Sequence, residues 1–168
     1  MKPTTAKKDC ILQERYLTMD HIDSEILQLL QKNARISLSE ISSHVNLSVS
    51  AVSERLKKLE QSELVLRYTT ILNPVAFGKT LEVFVLVQLN ATFDCAQMAQ
   101  FVSREPDILE YHRFAGGSDA LIKILTEGTE SLNAILDRVR ALPGIERLVV
   151  HMVTTSPKNE PSVQPPIA

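Results

Sequence analysis

Through the first seventy residues the apolar positions recur at helical spacing, and beyond residue 80 helical stretches alternate with short apolar runs that read as strands. Ile22, Ile26, Leu29 and Leu30 predict a helix over 20–33, with Asp20 and Asp23 near its positive N-terminal end. Ile41 and Val45 predict a second, shorter helix. Ser37, with Glu40 three residues on, forms a capping box that satisfies two amides at its start. Asn46 ends it, since Asn tolerates the left-handed backbone. Ser48 is the N-cap of a third helix, on which Val52, Leu56 and Leu59 share one narrow face. Ser50, Glu54 and Lys57 fall opposite, with Ser53 on one flank and Arg55 and Lys58 on the other. Residues 64–72 are β-rich and are stopped by Asn73-Pro74. Three helices followed by a strand predict a winged or extended helix-turn-helix.

The second half predicts strands over 81–89, 108–114, 120–125 and 145–154. Helices are expected over 96–104, with Met98, Phe101 and Val102 inward, and over 129–142, with Leu132, Ile135, Leu136 and Val139 at helical spacing. Gly116-Gly117-Ser118 makes a loop, and Pro143-Gly144 stops the last helix. The order β-α-β-β-α-β is the split βαβ, or ferredoxin-like, arrangement. Such a sheet carries helices on one face. Its other face, rich in Val, Leu and Phe, needs a partner, and a second copy is the simplest one. The expected fold class is therefore α+β, a winged helix-turn-helix domain followed by a ferredoxin-like domain. Its divisions are a flexible arm over 1–18, the DNA-binding domain with its linking strand over 19–72, the sheet domain over 73–155 and a disordered tail over 156–168.

A chain of 168 residues holds one medium domain or two small ones. No apolar run approaches the roughly 20 residues that a membrane helix requires, and the polar N-terminus lacks the apolar core of a signal peptide. Cys10 and Cys95 stand apart, so a disulfide framework is not expected and a reducing cytoplasm fits. The net charge of -2 is unlike a typical nucleic-acid binder, but it is unevenly spread. Residues 1–70 carry +1 and residues 71–155 carry -3. Affinity for a duplex then needs several positive patches acting together, which favours an oligomer. His21, His44, His112 and His151 are scattered without metal-ligand spacing, and neither cysteine has a nearby His. Gly116-Gly117 lacks the Lys-Ser/Thr of a phosphate loop and the third glycine of a dinucleotide fingerprint. No catalytic residue, metal or cofactor is expected.

The third helix has the side chains to read double-stranded DNA. An isolated amphipathic helix with a solvated face would look the same; the capped helix before it and the short turn favour the DNA reading. Ser48, Val49 and Ser50 stand at its N-terminal end. Ser53 and Glu54 are base-edge candidates, Glu54 as an acceptor from cytosine, while Arg55, Lys57 and Lys58 are expected on phosphates. Two further readings stand beside a sequence-specific regulator: an architectural protein that wraps or bends DNA, and a small ferredoxin-like enzyme, for which no acid/base pair is evident.

Several spaced pieces together carry a likeness: Asp20-His21-Ile22-Asp23 with Ile26-Leu27, Asn33-Ala34-Arg35-Ile36-Ser37, and Leu47-Ser48 with Glu54-Arg55-Leu56. Lys58-Leu59-Glu60, Tyr68, Leu72-Asn73-Pro74, Ala115-Gly116-Gly117-Ser118-Asp119 and Leu142-Pro143-Gly144 continue it. Over residues 19–155 the chain resembles the Lrp/AsnC, or feast/famine, transcription regulators. The resemblance implies a bacterial or archaeal cytoplasmic, nucleoid-associated regulator whose RAM-type C-terminal domain pairs into homodimers, which assemble to octamers. It also implies an amino acid or related metabolite as effector, bound near Gly116, Gly117, Ser118 and Asp119. The family usually shows Gly-Asp-Tyr-Asp there, so this chain lacks the first acid and the aromatic. Asn46 stands where the family often has glycine.

Overall fold

The computed structural model describes residues 19–115 and 119–166. They form two compact units, one of residues 19–71 with 160–166 and one of residues 72–159. Among the described residues no helix is long and apolar enough to cross a membrane.

The first unit is built from α1 (His21–Lys32), α2 (Leu38–Val45) and α3 (Val49–Gln61). Ile26, Ile41 and Val52, one from each helix, are almost wholly buried and meet in one core with Leu30, Val45 and Leu59. Burial of each such side chain contributes about 1.5–3 kcal/mol. The caps form as the local sequence predicts. Ser37 accepts from the Glu40 amide, Glu40 reaches back to the Ser37 amide at 2.8 Å, and Asn46 closes α2 in the left-handed region at φ 53°. A second left-handed residue, Glu63 at φ 60°, ends α3, and the amides of Leu64 and Val65 then turn back onto the Leu59 carbonyl.

The linking strand expected over 64–72 is not formed. Leu64 and Val65 pack on the helical core, whereas Leu66 is 85% exposed and Ile71 71%. Tyr68 donates to Glu60 at 2.9 Å; burial and then that carboxylate push its phenol up to about 12. β propensity supplies side chains that suit a pleat, but a strand also needs a neighbour to share its ladder, and none is present here among the described residues. Near the chain end, the Gln31 amide donates to the Val163 carbonyl at 2.6 Å.

The second unit follows the order β1 (Leu81–Leu89), α4 (Cys95–Arg104), β2 (Ile108–Arg113), β3 (Asp119–Thr126), α5 (Thr129–Arg140) and β4 (Ile145–Met152). All neighbours pair antiparallel in the order β2-β3-β1-β4, which is the ferredoxin-like sheet. Val83, Val85 and Val87 face Met98 of α4 and Leu132, Ile135, Leu136 and Val139 of α5, and all are buried. The alternate residues Phe84 and Leu86, with Leu121, Leu125 and Val149, lie on the other face and are only half-buried. Amid them Lys123 lies 3.1 Å from Glu82 and 3.5 Å from Glu110, with its ammonium 5.6 Å above the Phe84 ring.

At the edge of the core Thr126 is fully buried and donates to Asp107 at 2.8 Å, with the Ser131 hydroxyl 2.9 Å away. Partial burial pushes the Asp107 carboxyl up, but hydrogen bonds from Lys79 and Thr126 and the Lys79 charge outweigh it, leaving it below its ordinary value. After α5, Gly144 adopts φ 80° with its α-carbon facing the Phe93 backbone. A β-carbon there would fall inside van der Waals contact of Phe93, whereas at Gly78, φ 73°, it would meet open space.

That contrast separates backbone strain from steric exclusion. Gly78→Ala should lose only the left-handed term of about 1–2 kcal/mol, and Gly144→Ala a further 1–3 kcal/mol, roughly, for displacing Phe93. Chemical denaturation of the two variants checks this; equal losses would mean that the Gly144 turn does not press on Phe93.

Candidate nucleic-acid interface

The seat of α3 decides which of its side chains face outward. Val52 and Leu59 are buried and Leu56 packs on the same core, so the opposite face must be solvated. Ser48 caps the helix, accepting from the Ala51 amide at 3.2 Å, and its hydroxyl lies 3.0 Å from that of Ser50. Ser48, Ser50, Ser53, Glu54, Lys57 and Lys58 are all exposed, and Val49 is 44% exposed beside them. Among the described residues neither Lys57 nor Lys58 has a carboxylate within ion-pair distance. The result is a polar row with hydroxyls at the positive end of the helix and two unpaired cations further along. Such a row can donate to phosphates and to base acceptors in a major groove.

Arg55 departs from the expected set. Instead of standing free for a phosphate, it turns toward α1, where one guanidinium nitrogen lies 2.7 Å from Asp20 and 2.8 Å from Asp23. The hydrogen bonds it donates to Asp23 and Asp20 raise its already high pKa further. In the sequence these acids register as favourable charges at a helix start. The Asp20-x-x-Asp23 spacing also carries the capping-box signal, and the structure forms that box. Asp20, Asp23, Glu54, Arg55 and Lys58 line a cleft of about 530 Å³ between α1 and α3.

The expected effector positions fare differently. Gly116, Gly117 and Ser118 lie outside the described residues, and Asp119 opens β3, paired with Gln88. On the strand that leads into this loop, Arg113 donates to the Cys95 sulfur at 2.7 Å and sits 5.6 Å above the Phe93 ring. The Tyr111 hydroxyl is buried without a hydrogen-bond partner among the described residues. Burial raises the pKa of that phenol. No group of three or more His, Cys, Asp or Glu suited to a metal ion occurs among the described residues.

Comparison with known proteins bears on both units. Residues 19–65 match a family model described as winged helix-turn-helix DNA-binding, and residues 82–163 match one described as the Lrp/AsnC ligand binding domain. The HTH-type transcriptional regulator FL11 of Pyrococcus abyssi is 35% identical over 130 residues, covering 77% of this chain and 85% of that protein. The leucine-responsive regulatory protein of Klebsiella pneumoniae is 33% identical over 138 residues, covering 80% and 84%. Among solved structures, a Neisseria meningitidis transcriptional regulator in complex with L-Met superposes with a TM-score of 0.80 at 28% identity, covering 87% of this chain and 96% of that one.

The Arg55 contacts give the helical unit an acid-sensitive element. Partial burial pushes the Asp20 carboxyl up, but the Asp23 amide and the Arg55 guanidinium outweigh it, so it titrates below its ordinary value of 3.8. A lowered carboxyl stabilises the fold fully above the unfolded pKa, and that stability is lost as pH falls through the lowered one. Asp20 is 44% exposed, so solvent screening limits the term to about 0.5 kcal/mol. Thermal melts should therefore show the contribution of this pair constant between neutral pH and about 5, and a loss below 3.8 that Asp20→Asn reduces. An acid limb identical in the variant would contradict the assignment.

Proposed function

The chain belongs to the Lrp/AsnC family of DNA-binding transcriptional regulators, and on that premise we propose that it is a sequence-specific regulator answering to an amino acid or a related small metabolite. The observation that carries this reading is the row on α3, where buried Val52 and Leu59 oblige Ser50, Ser53, Glu54 and Lys57 to face outward. In the proposed complex, Ser48, Val49 and Ser50 enter the groove at the N-terminal end of α3 and Ser53 and Glu54 meet base edges. Lys57 and Lys58 hold phosphates and set orientation. Two copies would present two such helices to half-sites about one duplex turn apart.

Amino-acid response is supported by the ligand-binding family model and by the relatives whose names carry leucine and L-Met. The Tyr111 hydroxyl, without a hydrogen-bond partner among the described residues, and Arg113, on the strand leading into residues 116–118, supply polar groups that an effector carboxylate could engage. Homodimerisation is supported by the sheet face turned away from α4 and α5, where Phe84, Leu86, Leu121 and Val149 surround Lys123, itself paired with Glu82 and Glu110. Further assembly to an octamer, in a cytoplasmic, nucleoid-associated protein, completes the proposal.

Retardation assays with a duplex selected from random sequence test the DNA roles. Lys57→Ala should weaken selected and competitor duplexes alike and lower the salt slope by about one. Glu54→Gln should instead relax selectivity at one base position by about 1–3 kcal/mol. Wild-type protein that binds selected and mixed genomic duplexes equally would replace this proposal with the architectural reading. Light scattering tests the interface: Leu86→Glu should halve the dimer mass, and a mass unmoved by it would exclude this sheet face.

A further inference from the structure

We propose that Arg55 is a positioning residue for DNA recognition: it fixes the rotation of α3 against α1 and does not itself hold a phosphate. The inference rests on the DNA-binding reading above. Its basis is the way two carboxylates divide their oxygens. Asp20 Oδ1 accepts from the Asp23 amide at 2.9 Å, while its Oδ2 accepts from Arg55 at 2.7 Å. Asp23 mirrors it, with Oδ2 3.4 Å from the Asp20 amide and Oδ1 accepting from Arg55 at 2.8 Å. Each acid thus gives one oxygen to the first turn of α1 and the other to α3. The guanidinium is tied to a backbone frame and not to two mobile surface side chains.

Packing alone leaves this degree of freedom weakly held. Val52 and Leu59 seat α3 through one apolar stripe, and apolar contacts are not directional, so a small roll of the helix costs little. Arg55 lies on the flank of that stripe, the position from which a tether opposes roll most directly. Base-edge hydrogen bonds are strongly angle-dependent, whereas a lysine finds a phosphate as a point charge. Loosening the tether should therefore damage sequence discrimination far more than overall attraction to DNA. The cluster itself carries two negative charges against one positive, so a phosphate approaching Arg55 would meet net repulsion.

The discriminating variant is Asp20→Asn with Asp23→Asn, which keeps Arg55 and keeps residues able to cap α1. Removing two negative charges raises the attraction of any duplex for the protein. A phosphate-holding Arg55, freed from its partners, would then bind the selected site as tightly as wild type or more so. A positioning Arg55 predicts the reverse: about a tenfold loss for the selected duplex, with competitor binding held or increased, so that the specificity ratio falls. Arg55→Ala should show the same fall in ratio with an unchanged salt slope, where loss of a phosphate contact would lower the slope by about one. Thermal melting confirms that the variants are folded at the assay temperature, and the Asn pair suffices if Arg55→Ala is not. Selected-site affinity equal to or above wild type in the Asn pair would overturn the proposal. Failure of wild-type protein to bind any duplex at low salt would instead remove the DNA-binding reading beneath it.

Discussion

Val52 has no exposed surface and Leu59 almost none, and together they press one side of α3 into the core made by Ile26 and Ile41. Each outward feature of the helical unit follows from that seat. With one side of a helix committed to burial, the side chains roughly half a turn away have only solvent or a partner to meet. Here those side chains are hydroxyls, a carboxylate and two lysines without carboxylate partners among the described residues. The Asp20–Arg55–Asp23 bridge adds direction to a contact that apolar packing leaves non-directional. Packing and electrostatics thus hold different coordinates of the same helix.

The sheet unit divides its labour by parity. On β1, Val83, Val85 and Val87 are sealed under α4 and α5, while Phe84 and Leu86 remain half-buried on the side turned away from those two helices. An apolar face of this kind is common where a domain meets a second copy, and its central Lys123 is already matched by Glu82 and Glu110. An ammonium already paired within its own chain can be buried by another at lower desolvation cost than an unpaired one. The polar cluster of Thr126, Asp107, Lys79 and Ser131 at the far side of the core works in the opposite sense, satisfying a fully buried hydroxyl from inside.

What the sequence made legible was mostly local. Ser37 with Glu40, the left-handed Asn46 and the Ser48 cap each involve partners within a turn, so spacing alone reveals them. The β-α-β-β-α-β order was equally plain, because helical and strand periodicities alternate cleanly after residue 80. What stays hidden in the sequence has a different cause. Residues 64–72 have strand composition, yet a strand is a relation between two segments and this one has no partner among the described residues. The partners of Arg55 are hidden because a helical wheel shows which flank a residue occupies but not that two acids more than thirty positions earlier wait there. Glu63 in the left-handed region carried no signal at all, since that position ordinarily announces itself with glycine or asparagine. The loop expected to meet an effector, Gly116, Gly117 and Ser118, lies outside the described residues.

The most direct test is to map which backbone amides respond when the full chain is titrated with a selected duplex, by nuclear magnetic resonance at constant salt. Shifts concentrated on residues 48–58, with β1 to β4 little changed, are the predicted result. Shifts confined to the sheet unit, with α3 silent in a bound complex, would contradict the assignment of this helix to the DNA.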